Sequence, residues 1–163
     1  MLSPSTLLRL ATQPEVILSL LSGATPAAIM ARPASGQWSA HKHLAHLARH
    51  QTVFLGRLRR LLGERAPQLG RYRAEEDSAW PEWSCLSTAE VLSRHQAGRV
   101  EFIHLGKGLS HTDASRVGIH PLLGEMSLAL WVEFFLLHEA HHLYVVMTRL
   151  GQVKRSLGLL PTP

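Results

Sequence analysis

Apolar positions along this chain recur at the spacing of helices and nowhere show the two-residue alternation of a strand. Pro14 suits the first turn of a helix, where its missing N–H is not needed, and Val16-Ile-Leu-Ser-Leu-Leu21 carries that helix to a stop near Gly23. Thr25-Pro26 reads as a second cap and start, giving one or two turns before Pro33, with a turn over residues 33–36. Ser39 caps a long second helix over residues 40–62, with Leu44, Leu47, Phe54, Leu58 and Leu61 as its buried stripe. Gly63 and Pro67 close it.

Residues 64–86 form a long connection, long enough for the helices it joins to pack as other than hairpin neighbours. Trp80 and Trp83 are placed to pin it to the bundle. Ser87-Thr-Ala-Glu90 is a capping box opening a third helix to about Lys107, with Val91, Leu92, Phe102, Ile103 and Leu105 on its apolar side. A polar loop spans residues 110–121, and a fourth helix follows over residues 123–150, stopped by Gly151. That last helix is apolar on almost every side, so it belongs at the centre of the bundle. The expectation is an all-α, four-helix bundle in one domain over residues 1–163, with a core at about 12–151 and a loose tail at 152–163.

The chain has 163 residues, 45% of them hydrophobic and 18% charged, which fits a globular protein with a real core. The N-terminal residues show no basic stretch followed by a long apolar run, so no signal peptide is expected; the longest apolar run (126–137) is too short for a bilayer, and one cysteine, Cys85, excludes an internal disulfide. A cytoplasmic protein without a membrane partner is expected. Net charge is +5, and six arginines fall between Arg57 and Arg73 with Glu64 as the only acid among them. Such a cluster could bind phosphates, but no aromatic interleaving or nucleic-acid motif accompanies it, and a solvated helix face explains it equally.

Chemistry concentrates in the histidines, eleven in all. His138 and His142 are four apart on the fourth helix, one turn apart on one face, so two imidazoles can converge on one metal ion. His138 with His141 is an alternative pair. A third ligand must come from another helix, and the second helix offers His41, His43, His46 and His50. Periodicity alone places His43 and His50 nearer the centre of the leucine stripe than His46.

Trp38-Ser-Ala-His-Lys-His-Leu-Ala-His-Leu-Ala48 resembles the helix-two signature of DinB-like proteins, in which a His-Leu pair follows a Trp-Ser entry by eight residues; here that pair is His46-Leu47. His138-Glu-Ala-His-His142 resembles the second signature of the family, a His-x-x-x-His late in the last long helix, about 90 residues on. Arg32-Pro33, Gly36-Gln-Trp38, Arg99 and Gly124 add to the likeness, which covers roughly residues 26–150.

The resemblance implies one divalent metal held by His46, His138 and His142, and a homodimer packed through helices. Zinc suits three imidazoles with an open position, while nickel, iron and manganese are chemically compatible. It also implies a metal-dependent enzyme on a small molecule, either a transferase using a low-molecular-weight thiol or a hydrolase. The alternative is a non-enzymatic metal-binding stress-response protein. Many relatives carry an acid shortly after the first ligand, where this chain has Arg49, His50 and Gln51. His50 or His141 could stand in as a partner or proton carrier. Arg99 is a candidate anchor for a substrate carboxylate, and Glu125 and Glu139 are candidate bases. Glu139 follows a ligand directly, so it should point away from the metal, toward the surface or a packing partner.

Overall fold

The structure, a computed structural model, describes residues 1–33 and 36–156. It is mostly helical. Ser3 accepts from the Thr6 N–H at 3.1 Å and opens α1 (Pro4–Leu21). This helix starts ten residues earlier than expected and runs straight through Pro14. A proline inside a helix leaves the carbonyl four residues back without its donor. Here that carbonyl belongs to Leu10, and the buried Arg99 guanidinium donates to it at 3.1 Å. The missing bond is replaced from another helix, so the break is not needed.

Thr25 caps the short α2 (Pro26–Met30), as expected. Of the turn expected at 33–36, Gly36 donates to the Pro33 carbonyl, while residues 34 and 35 lie outside the described residues. Ser39 caps α3 (Ala40–Gly63), and its leucine stripe is buried as read. The long connection contains a 3-10 turn (Ala74–Glu76) and the short α4 (Trp80–Cys85). Trp80 and Trp83 are both buried, so they do pin it. The capping box of Ser87 and Glu90 forms and opens α5 (Thr88–Gly108).

The expected polar loop is structured. It holds α6 (His111–Ala114) and a two-stranded antiparallel ribbon, β1 (Val117–His120) and β2 (Gly124–Ser127), pairing His120 with Gly124 at the turn. Four-residue strands are too short to show an alternation, and the buried Gly118 carries no side chain to read. A Cβ there would lie 2.5 Å from a Leu61 methyl, so only glycine lets the ribbon lie this close to α3. The ribbon also fixes the connection: Leu69 donates to Ile119 and Ile119 donates to Pro67, both at 2.9 Å.

Because residues 124–127 belong to β2, the last helix α7 starts at Leu128 rather than 123, and it continues to Ser156. It passes through Gly151, whose cost of about 1 kcal/mol in a helix interior is offset by packing of the buried Leu150. The tail expected to be loose from 152 is therefore helical to 156, and the rest of it lies outside the described residues.

The long helices α1, α3, α5 and α7 form a four-helix bundle, with α3 packed on α5 and α7, and α1 on the same two. No helix among the described residues is long and apolar enough to cross a membrane. Two apolar clusters fill the interior, one around Phe54, Phe102, Trp131 and Phe135, the other around Leu44, Leu47, Val91 and Val146. Between them every central helix turns polar: His46, His50 and Gln51 on α3, His95 and Arg99 on α5, His138, Glu139 and His142 on α7. A polar layer in a hydrophobic core is costly unless its groups find partners. How that cost is met defines the site.

Candidate metal centre

The layer has two sides. On one, the residues before and after a helical turn bring His46 of α3 against His138 and His142 of α7. Ligand atoms of these three all lie within 4.8 Å of one another. The Nε2 atoms of His46 and His138 are 3.2 Å apart. Two nitrogens on one tetrahedral zinc, each at about 2.0–2.1 Å, are separated by about 3.3 Å. The donor set and its spacing therefore fit a divalent transition metal.

Protonation fits as well. Burial, then the neighbouring His138 and His43, holds His46 down to about 3. Burial and the surrounding imidazoles hold His142 down to about 2, and burial and His141 hold His138 at about 4. All three are neutral near pH 7, the form in which an imidazole binds metal. The Nδ1 atoms of His46, His50 and His138 are buried with no hydrogen-bond partner among the described residues.

The histidines that periodicity favoured flank the trio. The His43 Nδ1 lies 2.9 Å from the His142 Nδ1, so it fixes the orientation of that ring. The ring of His50 lies with its centroid 4.0 Å from that of His138. His141 is exposed on α7, its side chain outside the trio. An aromatic wall closes the rest: Trp38 at 5.4 Å from His46, Tyr72 stacked at 5.6 Å, and Trp80 stacked on Trp38.

No acid follows the first ligand on α3. Arg49 reaches into the connection instead, binding Asp77 at 2.6 and 3.0 Å, and Tyr72 donates to the same carboxylate. Burial and the adjacent Asp77 push the Tyr72 phenol well up, so it stays protonated against the histidines. Tyr72 and Asp77 escaped the sequence reading because the connection has no period to place them.

The other side of the layer is closed. Glu139, 1% exposed, accepts from Arg99 and lies 3.0 Å from the His95 Nε2. Gln13 donates to it at 2.8 Å, and Arg99 also binds Gln51 at 2.7 Å. Glu139 does point away from the trio as expected, but into a buried ion pair and not toward solvent. Arg99 is 1% exposed with its charge already matched, so it does not anchor a substrate. Glu125 is exposed on β2 and lines no cavity with the histidines. Neither glutamate is placed to act as a base on the trio.

His46, His138 and His142 open into a cavity of about 500 Å³, whose walls include Arg57, Tyr72, His120, Leu122, Leu123 and Phe134. A larger cavity of about 770 Å³ lies between α2 and the end of α7, but it contains no histidine. We place the chemistry in the smaller one because the donors are there. The arginine cluster is not one open face: Arg59, Arg60 and Arg73 pair with Glu101, Glu64 and Glu76, Arg57 is buried, and Arg65 and Arg71 remain exposed.

A family model described as the DinB superfamily matches residues 9–146. Among solved structures, the chain is similar to YfiT from Bacillus subtilis, described as a probable metal-dependent hydrolase with an unusual four-helix bundle topology. The two are 18% identical with a TM-score of 0.77, over 98% of this chain and 92% of the other. No curated protein sequence matches.

Proposed function

The chain belongs to the DinB superfamily, and from that membership and the geometry of its histidines we infer that it is a metal-dependent enzyme acting on a small molecule. The observation that carries this reading is the set of three neutral imidazoles, His46 buried and His138 and His142 half-buried, converging on a cavity of about 500 Å³. His46, His138 and His142 would hold the ion, most suitably zinc. Three protein ligands leave a coordination position free, the arrangement of a catalytic site and not a closed structural one. A divalent metal so held lowers the pKa of a water or thiol toward neutrality and acts as a Lewis acid.

The chain itself supplies orientation and exclusion of water. His43 fixes the ring of His142, and Trp38, Trp80 and Tyr72 shield the trio from bulk solvent. Tyr72 keeps its proton engaged with Asp77, so it is a wall and not a base. Among the described residues no carboxylate oxygen joins the three imidazoles, so proton removal depends on the depressed pKa of the nucleophile. That favours an acidic nucleophile such as a thiol over water. Transfer of a low-molecular-weight thiol is therefore the leading reaction and hydrolysis the second.

Cobalt(II) in place of zinc tests both the open position and the nucleophile. Adding a small thiol should change the visible spectrum by a sulfur-to-cobalt charge-transfer band, and His142→Ala should abolish it. A cobalt spectrum indifferent to thiol would leave hydrolysis. A spectrum indifferent to every small ligand would mean a closed site, as in a metal-stapled protein without turnover.

A further inference from the structure

Arg57, in the wall of the cavity above the histidines, carries a charge that no carboxylate among the described residues pairs with. The residue is 9% exposed. Its Nη2 donates to the Gly70 carbonyl, and its guanidinium lies 5.8 Å over the Trp131 ring. Among the described residues no carboxylate lies within ion-pair distance of it, in contrast to Arg99, the other deeply buried arginine, which is matched by Glu139. A buried guanidinium without an acid is expensive unless something else supplies the anion.

Its position is suited to a ligand. Arg57 follows His50 by seven residues and His46 by eleven on α3, so all three lie on one face of the helix. The eleven residues span about 16 Å along the axis, and a long side chain on a helix leans toward the N-terminus, here toward the histidines. A molecule several bonds long would bridge the gap. Arg71 adds a second positive charge to the same wall, and Glu75 is the one acid among the lining residues. Three neutral imidazoles would leave the charge of a bound divalent ion uncompensated, which makes the cavity more positive still.

The remaining wall is apolar. Leu122 and Leu123 at the ribbon turn are 73% and 56% exposed, and Phe134 lies beside them. Large leucines at a turn tip would ordinarily be replaced by polar residues, yet this turn is held in place. The His120 Nδ1 accepts from the Leu122 and Leu123 N–H groups at 3.2 and 3.1 Å.

We propose that this cavity binds a small organic anion, its anionic group paired with the Arg57 guanidinium, its apolar chain against Leu122, Leu123 and Phe134, and its reacting end at the three histidines. Arg57 is thus a specificity-determining residue, and neutral molecules of the same shape are poor ligands. This rests on the function inferred above for the reacting end, while the anion pairing itself stands on Arg57 and its surroundings.

The test is calorimetric titration of the zinc-loaded protein with hexanoate and with hexan-1-ol, its neutral counterpart. Hexanoate should bind at least about tenfold more tightly, the worth of one charge-assisted pair. Arg57→Gln should lose that tenfold for hexanoate, leave hexanol unchanged and keep the zinc content of the wild type. Should Arg57→Gln fail to fold, Arg57→Lys gives a second reading, since it keeps the charge but not the fork: hexanoate weakens and hexanol does not. Equal affinity for the two ligands, or hexanoate binding that survives Arg57→Gln, overturns the inference. If hexanoate binding is lost in His46→Ala and retained in Arg57→Gln, the carboxylate sits on the metal, which refutes the role of Arg57 and leaves the metal reading intact. If the protein takes up no zinc, the functional reading fails, and the same comparison on metal-free protein still decides the role of Arg57.

Discussion

Replacing Glu139 with alanine should destabilise the fold by about 3–5 kcal/mol, the usual consequence of leaving a buried charge without its partner. Glu139 and Arg99 are each 1% exposed, and the carboxylate also engages His95 and Gln13. Its removal strands a guanidinium in the middle of the bundle with only Gln51 and the Leu10 carbonyl to bind. The pair as a unit is worth far less than this loss, because a buried ion pair roughly breaks even with apolar residues of similar volume. Glu139→Met combined with Arg99→Leu should therefore recover most of the stability. The part not recovered comes from the groups left without partners: the Leu10 carbonyl freed by Pro14, the His95 Nε2 and the Gln51 side chain, each a deficit of about 1–3 kcal/mol where it stays buried. Urea unfolding of the two variants measures both. A loss below about 1 kcal/mol for Glu139→Ala would mean that the pair is not buried as described.

The second large effect concerns the histidines. Zinc binding to the folded form should raise the unfolding free energy by about 4 kcal/mol at a free concentration a thousand times Kd, and His46→Leu should lose that increment entirely. The same substitution should make the metal-free protein slightly more stable, by about 1 kcal/mol, because it removes a buried imidazole whose Nδ1 has no partner. Opposite signs with and without metal separate a site built for an ion from a cluster that merely packs. Equal zinc stabilisation of wild type and His46→Leu would exclude His46 as a ligand.

Much of this was legible in the chain itself. The caps at Ser39 and Ser87, the leucine stripe of α3 and the pinning tryptophans are all local signals, and each forms as read. Spacing on one helix also offers His138 with His142, though beside His138 with His141, and the family signature selects His142, which lies with His138 and His46 while His141 is exposed. Spacing does not reach His46. Periodicity points to His43 and His50, since the trio lies off the centre of the stripe, and only the family signature selected His46. What places it is the wall of Trp38, Tyr72 and Trp80, which arrives from segments distant in sequence.

Several expectations failed for physical reasons. Pro14 does not start α1, because Arg99 replaces the bond that proline removes. The ribbon was invisible since its strands have four residues and one is glycine. Arg99 was read as open to a substrate although it is matched by Glu139, while Arg57, seven residues after His50 on the same face, was counted only within a basic cluster. A buried charge announces itself by its partner, and partners across helices are not visible in a single sequence.

Elemental mass spectrometry of untagged protein tests the trio most directly, with His46→Ala, His138→Ala and His142→Ala alongside. Wild type should carry close to one divalent transition-metal ion per subunit, and each variant, still folded, should carry almost none. A wild type that stays metal-free after reconstitution with zinc and nickel, or variants that keep a full equivalent, would contradict it.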